Sequence, residues 1–169
     1  AHSSLQGLIV TDQPSSSRPR VRPAPPGMAA RRRARRKAVQ ALYQAQINPG
    51  TTLELEAQFM EEPDILKADL EHFRRLLQGI LGSRAELDAL IAPLVSRPLA
   101  EVDPIEHAIL WVGTFELRDC LDLPYRVVIN EAIELAKMFG AEGSHGFVNG
   151  VLDKLVPQLR AAESGAAQS

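Results

Sequence analysis

The sequence predicts an all-α fold of about seven helices joined by short connections. Apolar residues recur at helical spacing through residues 29–160. Strand-like composition occurs only at residues 126–129, where it leads directly into a helical pattern. Prolines and glycines divide the chain into segments of helical length. Hydrophobic residues make up 45% of the 169 residues, which is enough to bury a core.

Four helices are predicted in the first half of the folded region. The first covers residues 29–47 and ends before an Asn-Pro-Gly turn. Thr51 and Glu54 have the spacing of a capping box that opens a short second helix. The third ends at Gly82, and the fourth opens at Ser83 with a second capping-box pattern. The third helix is predicted to bury one face, made of Leu66, Leu70, Phe73, Leu77 and Ile80.

Three longer helices are predicted in the second half. Asp103-Pro104 suits an N-cap followed by a first helical residue. The helix that follows is apolar on more than one side, which is typical of a helix at the centre of a domain. Another helix starts at Pro124 and is capped at its carboxyl end by Gly140. Ser144 is predicted to cap the last helix.

The two ends of the chain are predicted to lie outside the folded domain. Residues 1–28 are rich in serine and proline and contain little that would build a core, so we predict a disordered extension or an expression remnant ahead of the fold. Residues 161–169 are predicted to form a flexible tail. The folded domain is therefore expected to cover residues 29–160.

Charge and cysteine content restrict the class of protein. Residues 1–37 carry nine Lys/Arg and one acid, about +8, whereas residues 38–169 carry ten Lys/Arg and twenty acids, about −10. A basic arm on an acidic body is typical of polyanion binding. A single cysteine, Cys120, excludes an internal disulfide and fits a reducing compartment. No apolar run approaches the ~20 residues that span a bilayer, so we predict a cytoplasmic protein without a membrane partner.

Catalytic and metal-binding patterns receive no support. The histidines lack ligand spacing, and glycine-rich phosphate loops and nucleophile elbows do not occur in the sequence. His72 is interpreted as a packing or boundary residue and Cys120 as a small buried hydrophobe. Glu131 and Glu134 are interpreted as a solvated helix face. The prediction is a protein that is not an enzyme and has no cofactor or metal.

Six cations begin the first predicted helix and are the best candidates for binding a partner. They are Arg31, Arg32, Arg33, Arg35, Arg36 and Lys37. Because unpaired buried cations are costly, these side chains are expected to face water or an anionic partner. Arg32, Arg36 and Tyr43 share a stripe, which would place a ring that can stack beside two guanidinium groups, as in single-stranded RNA binding. Alternatively, Tyr43 belongs to the core and the arginines form a solvated helix start.

Two glycines one helical turn apart, Gly146 and Gly150, mark a second candidate region. Glycine in a helix costs roughly 1 kcal/mol relative to alanine. Close approach of a ligand or of a neighbouring helix is the usual compensation, and both alternatives are open from the sequence.

The residues of this second region also carry a family resemblance. Residues 124–137 (PYRVVINEAIELAK), 139–142 (FGAE) and 147–154 (FVNGVLDK), with Ser144-His145 between them, closely resemble the NusB transcription antitermination family. The arginine run and residues 39–43 (VQALY) are similar to the family's amino-terminal pattern. The resemblance implies two small helical bundles packed together. It also implies a non-enzymatic role, in which the protein binds boxA single-stranded RNA with the ribosomal protein NusE and joins the RNA polymerase antitermination complex, notably on ribosomal RNA operons.

The resemblance also implies a set of RNA-facing residues. By matching positions, Arg31, Arg32, Arg35 and Tyr43 would face RNA, joined by Glu106 and Phe147 from later helices. Adding Arg33 and Arg36 of the cation run to these six residues gives the full predicted RNA-binding set of eight. The contacts to NusE are expected on the helices of the carboxy-terminal half.

One alternative function is a protein-interaction or homodimerisation module with only non-specific RNA binding. Another is a fragment of a ribosomal RNA cytosine methyltransferase. The glycine-rich loop with which such an enzyme would bind S-adenosylmethionine does not occur in the sequence, which argues against this alternative.

Overall fold

The computed structural model describes residues 27–165, and the prediction of an all-α fold is confirmed. This part of the chain contains eight α-helices and no strand. Three single-turn 3-10 helices lie at Ile65–Lys67, Ala92–Leu94 and Leu99–Glu101. The α-helices are α1 (Met28–Ile47), α2 (Thr52–Met60), α3 (Leu70–Leu81), α4 (Arg84–Ile91), α5 (Pro104–Asp119), α6 (Tyr125–Phe139), α7 (Ser144–Leu159) and α8 (Ala161–Ser164).

The helices form two small bundles that share α5. In the first bundle α1 packs on α2 and α3, and α4 follows α3; in the second bundle α6 and α7 pack on each other and on α5. Helix α5 also contacts α1, α3 and α4, and its residues from His107 to Leu117 are buried without interruption. The prediction that this helix is central is confirmed.

Glycines allow two helices to approach each other closely around α5. A Cβ atom on Gly113 of α5 would lie 2.7 Å from Cδ1 of Leu152 on α7. A Cβ atom on Gly79 of α3 would overlap with the ring of Phe115 on α5. A larger residue at either position would require the facing side chain, Phe115 or Leu152, to move.

The predicted helix starts are confirmed at two sites. The hydroxyl of Thr51 accepts from the backbone N–H of Glu54 at 3.0 Å, and the Glu54 carboxylate accepts from the backbone N–H of Thr51 at 3.1 Å. The Thr51 hydroxyl also donates to the Glu54 carboxylate at 2.8 Å, and this bond and the one from the Thr51 backbone lower the pKa of Glu54. Asp103 caps α5 by accepting from the N–H of Ile105 at 2.8 Å.

Three expectations about helix ends and faces are wrong. Ser83 takes the N-cap position of α4 as predicted, but the capping box does not form, because its hydroxyl donates to the carbonyl of Gly79 at 2.7 Å. Ser144 does not cap α7, because Gly143 takes the N-cap position with φ +87°, a conformation that favours glycine. Leu66 is 81% exposed, because the chain forms a 3-10 turn there and α3 begins only at Leu70.

Two segments, one at each end of the chain, were predicted to lie outside the folded domain. The extension predicted for residues 1–28 lies outside the described residues up to Pro26, and α1 begins at Met28. Within the tail predicted for residues 161–169, residues Ala161–Ser164 form α8. The Glu163 carboxylate accepts from the backbone N–H of Tyr125 at 2.9 Å, and this hydrogen bond and Arg160 lower the pKa of Glu163. Residues 166–169 lie outside the described range.

Two further findings concern the interpretation of the chain as a whole. Cys120 is fully buried, and burial raises the pKa of its thiol to about 11, so the prediction of a small buried hydrophobe is confirmed. Among the helices of residues 27–165, none is long and apolar enough to cross a bilayer.

Candidate RNA interface

One face of α1 is open to solvent along most of the helix. Arg32, Gln40 and Tyr43 are exposed and Arg36 is half-buried, at spacings of four, four and three residues that keep them on one side of the helix. Tyr43 is 39% exposed, which does not support its assignment to the core. Gln40 was missed from the sequence, although its spacing from Arg36 and Tyr43 places it between them.

The pairing of Arg32 leaves part of its guanidinium group exposed. Its Nε donates to both carboxylate oxygens of Glu131 on α6, at 3.0 and 3.1 Å, while the arginine side chain stays 46% exposed. This hydrogen bonding and the carboxylate charge raise the pKa of Arg32. Within residues 27–165 its Nη groups make no hydrogen bond, so they remain available to a phosphate.

Arg35 does not face RNA or water, and the prediction of an exposed side chain is wrong there. It is 3% exposed. Its Nε donates to the Glu116 carboxylate of α5 at 2.9 and 3.1 Å, and its Nη1 donates to Glu131 at 3.4 Å. Two carboxylates from neighbouring helices compensate the buried charge, and both are distant in the sequence.

The same network corrects the interpretation of Glu131 and confirms that of His72. Glu131 is buried against α1, whereas Glu134 is exposed, so only Glu134 lies on a solvated face. His72 is buried, with its Nε2 2.7 Å from a Glu116 oxygen. The buried network therefore connects α1, α3, α5 and α6 beneath the exposed face of α1.

The remaining cations of the run differ in how strongly they are paired. Arg31 lies 3.7 Å from Asp69, and Lys37 lies 2.6 and 2.9 Å from Glu62 and Asp64. Although burial lowers the pKa of Lys37, its hydrogen bonds to these two carboxylates outweigh that effect and raise it. Nearby carboxylates therefore compensate much of the positive charge of Arg31 and Lys37, which leaves less of it to attract an external partner.

Arg33 and Arg36 form no ion pair within 4 Å in the described part of the chain. Both are half-buried. With Lys37, its partner Asp64, Gln40 and Phe139 they line a groove of about 260 Å³ between α1 and the end of α6. Arg33 and Arg36 therefore carry the least neutralised positive charge of the arginine run.

A second group of candidate residues surrounds the starts of α5 and α7. The Glu106 carboxylate of α5 accepts from the Ser144 hydroxyl at 2.6 Å and lies 3.6 Å from Nη2 of Arg97. The Arg97 guanidinium lies over the ring of Phe147, with its Cζ 5.4 Å from the ring centroid. The structure thus brings Glu106 and Phe147 together through Arg97 and Ser144, neither of which the sequence singled out for this site.

Contacts between neighbouring elements connect this group to the α1 face. Nε2 of Gln46, near the end of α1, donates to the carbonyl of Pro104 at the start of α5. A Cβ atom on Gly140, just after α6, would lie 2.6 Å from Cβ of Ser144, so the end of α6 touches the start of α7. The carboxyl end of α1 therefore lies next to the start of α5, and the end of α6 lies next to the start of α7.

Gly146 and Gly150 lie on an open face of α7. Both are exposed, and among the described residues nothing lies within 4 Å of a Cβ built on either one. The alternative of tight helix packing is therefore wrong, and the helix surface beside Phe147 is accessible. Within residues 27–165, no group of three or more His, Cys, Asp or Glu side chains is placed to hold a metal ion.

Comparison with known proteins agrees with this architecture. Residues 32–157 match the model of the NusB family. The transcription antitermination protein NusB of Hahella chejuensis is 50% identical over 142 residues, covering 84% of this chain and 95% of that protein. The protein of the same name from Yersinia pestis (strain Pestoides F) is 54% identical over 132 residues, covering 78% and 96%.

A solved structure shows the same fold. The NusB structure of T. maritima superimposes with a TM-score of 0.68 at 33% sequence identity, covering 76% of this chain and 91% of that one. The family match covers more than half of the sequence, and both relatives are covered almost completely. The chain belongs to the NusB family.

Proposed function

We propose that this protein is a transcription antitermination factor that binds boxA RNA together with NusE. In this role it joins the elongating RNA polymerase in the cytoplasm, notably on ribosomal RNA operons, and catalyses no reaction. The observation that carries the proposal is the exposed arginine face of α1, whose carboxyl end contacts the start of α5, where Glu106 and Phe147 are joined through Ser144 and Arg97. The printed name of its relatives, transcription antitermination protein NusB, supports the same role. We place the RNA-binding domain in residues 29–160.

Different residues of this surface would bind different parts of the RNA. Arg32, Arg33 and Arg36 attract phosphates, with Arg31 as a weaker contributor because of its nearby carboxylate. Tyr43 and Phe147 offer rings on which bases stack, and the Glu106 carboxylate accepts from a base edge. Arg35 contributes indirectly, because it is buried and supports the exposed face from within the core.

Comparison of two RNAs in the presence of NusE tests the proposed function. We expect weak binding of boxA RNA by the protein alone, tighter binding with NusE, and a strong dependence of affinity on salt. Fluorescence anisotropy with boxA and a scrambled RNA, each with and without NusE, measures all three. Equal affinities for the two RNAs with NusE present would contradict sequence-specific binding. Light scattering during size-exclusion chromatography would show whether the alternative, a homodimer that covers α1, forms.

Replacing Arg32 with alanine is expected to remove about one phosphate contact. For single-stranded RNA the slope of log K against log salt should then become shallower by about 0.7. The matched control is Arg74→Ala on α3, because Arg74 is equally exposed and is also ion-paired, with Glu56 at 3.5 Å. Titrations of boxA RNA at four salt concentrations give both slopes. If the slopes of the two variants are equal, Arg32 makes no phosphate contact.

A further inference from the structure

We propose that Glu131 is a positioning residue for RNA binding, which orients Arg32 toward the phosphate backbone. The inference rests on the proposed function and assigns a role within that same surface. Glu131 lies on α6 and is only 7% exposed, so it is not itself a contact for RNA. Its two carboxylate oxygens accept from Nε of Arg32 at 3.0 and 3.1 Å.

The atoms of this contact determine which part of Arg32 remains free. A guanidinium group is planar and rigid, so fixing Nε against a carboxylate fixes the direction of both Nη groups. Within residues 27–165 the two Nη groups make no hydrogen bond. They have the fork geometry that binds two phosphate oxygens at once. Arg36, one turn later, has no ion pair in this part of the chain and is not oriented in this way.

The buried network holds Glu131 in place from behind. One Glu131 oxygen also accepts from Nη1 of Arg35, whose Nε is held by Glu116. Glu116 in turn contacts His72 at 2.7 Å. A carboxylate fixed on its inner side presents a constant acceptor to Arg32, so the arginine is ordered before RNA arrives and loses less conformational freedom on binding.

Positioning and simple charge make opposite predictions about Glu131. A negative charge near a phosphate-binding surface repels RNA, so its removal should strengthen binding if only net charge matters. If Glu131 orients Arg32, its removal should weaken binding although the protein becomes more positive. The sign of the change therefore separates the two explanations.

Glu131→Gln in the full chain, assayed for boxA RNA binding with NusE, is the direct test. We expect the affinity to fall by about three- to tenfold, the cost of ordering a free arginine side chain. The matched control is Glu134→Gln, which makes the same change of charge one turn along α6, where Glu134 is exposed and pairs with Lys137 at 3.8 Å. The control should bind RNA as tightly as the parent or more tightly. Unchanged or tighter binding by Glu131→Gln would overturn the inference.

A double variant separates positioning from a general loss of structure. In the Arg32→Ala background, Glu131→Gln should cause no further loss of RNA affinity, and a further loss of the same size would overturn the inference. Glu131→Asp keeps the charge but shortens the side chain, so it should also weaken binding, and it serves if the glutamine variant does not fold. Urea unfolding measures folding of each variant. A parent protein that does not distinguish boxA from scrambled RNA would instead contradict the proposed function.

Discussion

Replacing Arg35 with alanine is expected to lower the free energy of unfolding by about 3–5 kcal/mol, because it leaves buried carboxylates without their cation. Glu116 is 1% exposed and would keep only His72 as a partner, and Glu131 would lose one of its two arginines. The network is not fully satisfied even in the parent, since Nη2 of Arg35 is buried without a hydrogen-bond partner among the described residues. The destabilisation comes mainly from the charges left behind.

Urea unfolding at neutral pH measures this effect, with an unchanged m-value showing that the folded state remains compact. The control is Arg33→Ala, two residues earlier in the same helix, where the side chain is half-buried and has no ion pair in residues 27–165. Its effect should stay within about 0.5 kcal/mol. The sequence alone would have assigned both arginines to RNA. An Arg35→Ala variant as stable as the parent, with weaker RNA binding, would restore that assignment.

A second substitution identifies the uncompensated carboxylate as the cause. In the Arg35→Ala background, Glu116→Gln removes the stranded charge and should recover part of the lost stability. The two changes should therefore be less than additive, as expected for residues in direct contact. Simple additivity would show that Arg35 stabilises the protein through packing alone.

Structural features that depend only on residues close together in the sequence could be predicted. The capping box of Thr51, the N-cap at Asp103 and the central position of α5 all follow from patterns within a few residues. Ser83 shows the limit of such patterns, because a carbonyl in the preceding helical turn competes for the same hydroxyl. Helix existence and type were therefore predicted better than helix ends.

The parts that depend on long-range pairing could not be predicted in the same way. The partners of Arg35 are 81 and 96 residues away, so the local sequence shows a run of cations and gives no sign that one of them is buried. Glu131 was predicted to be solvated for the same reason. Arg97 lies in a connection between helices, and its place over Phe147 follows from how α5 and α7 pack. The face of α1 was predictable from the sequence, but its supporting network was not.

Replacing Arg160 with alanine is expected to lower the free energy of unfolding by roughly 4 kcal/mol, because this side chain donates hydrogen bonds to backbone carbonyls at and just after the end of α5. It is 5% exposed and donates to four backbone carbonyls, those of Glu116, Leu117, Cys120 and Leu123, at 2.7–3.1 Å. The carbonyls of Glu116 and Cys120 also accept from backbone N–H groups, whereas those of Leu117 and Leu123 accept from no backbone N–H outside the helices among the described residues and depend on Arg160. The positive charge also favours the negative end of the helix dipole.

A series of substitutions at Arg160 tests whether the hydrogen bonds cause the effect. Arg160→Lys keeps the charge but offers fewer donors in a different geometry, so it should lose about half as much stability as alanine. Arg126→Ala is the control, because that exposed arginine forms hydrogen-bond and ring interactions only with its neighbour Tyr125 among the described residues, and its effect should be within about 0.5 kcal/mol. Urea midpoints of the three variants give the order. Equal losses for lysine and alanine would show that the planar fork of hydrogen bonds is essential, whereas a lysine variant as stable as the parent would show that charge alone suffices.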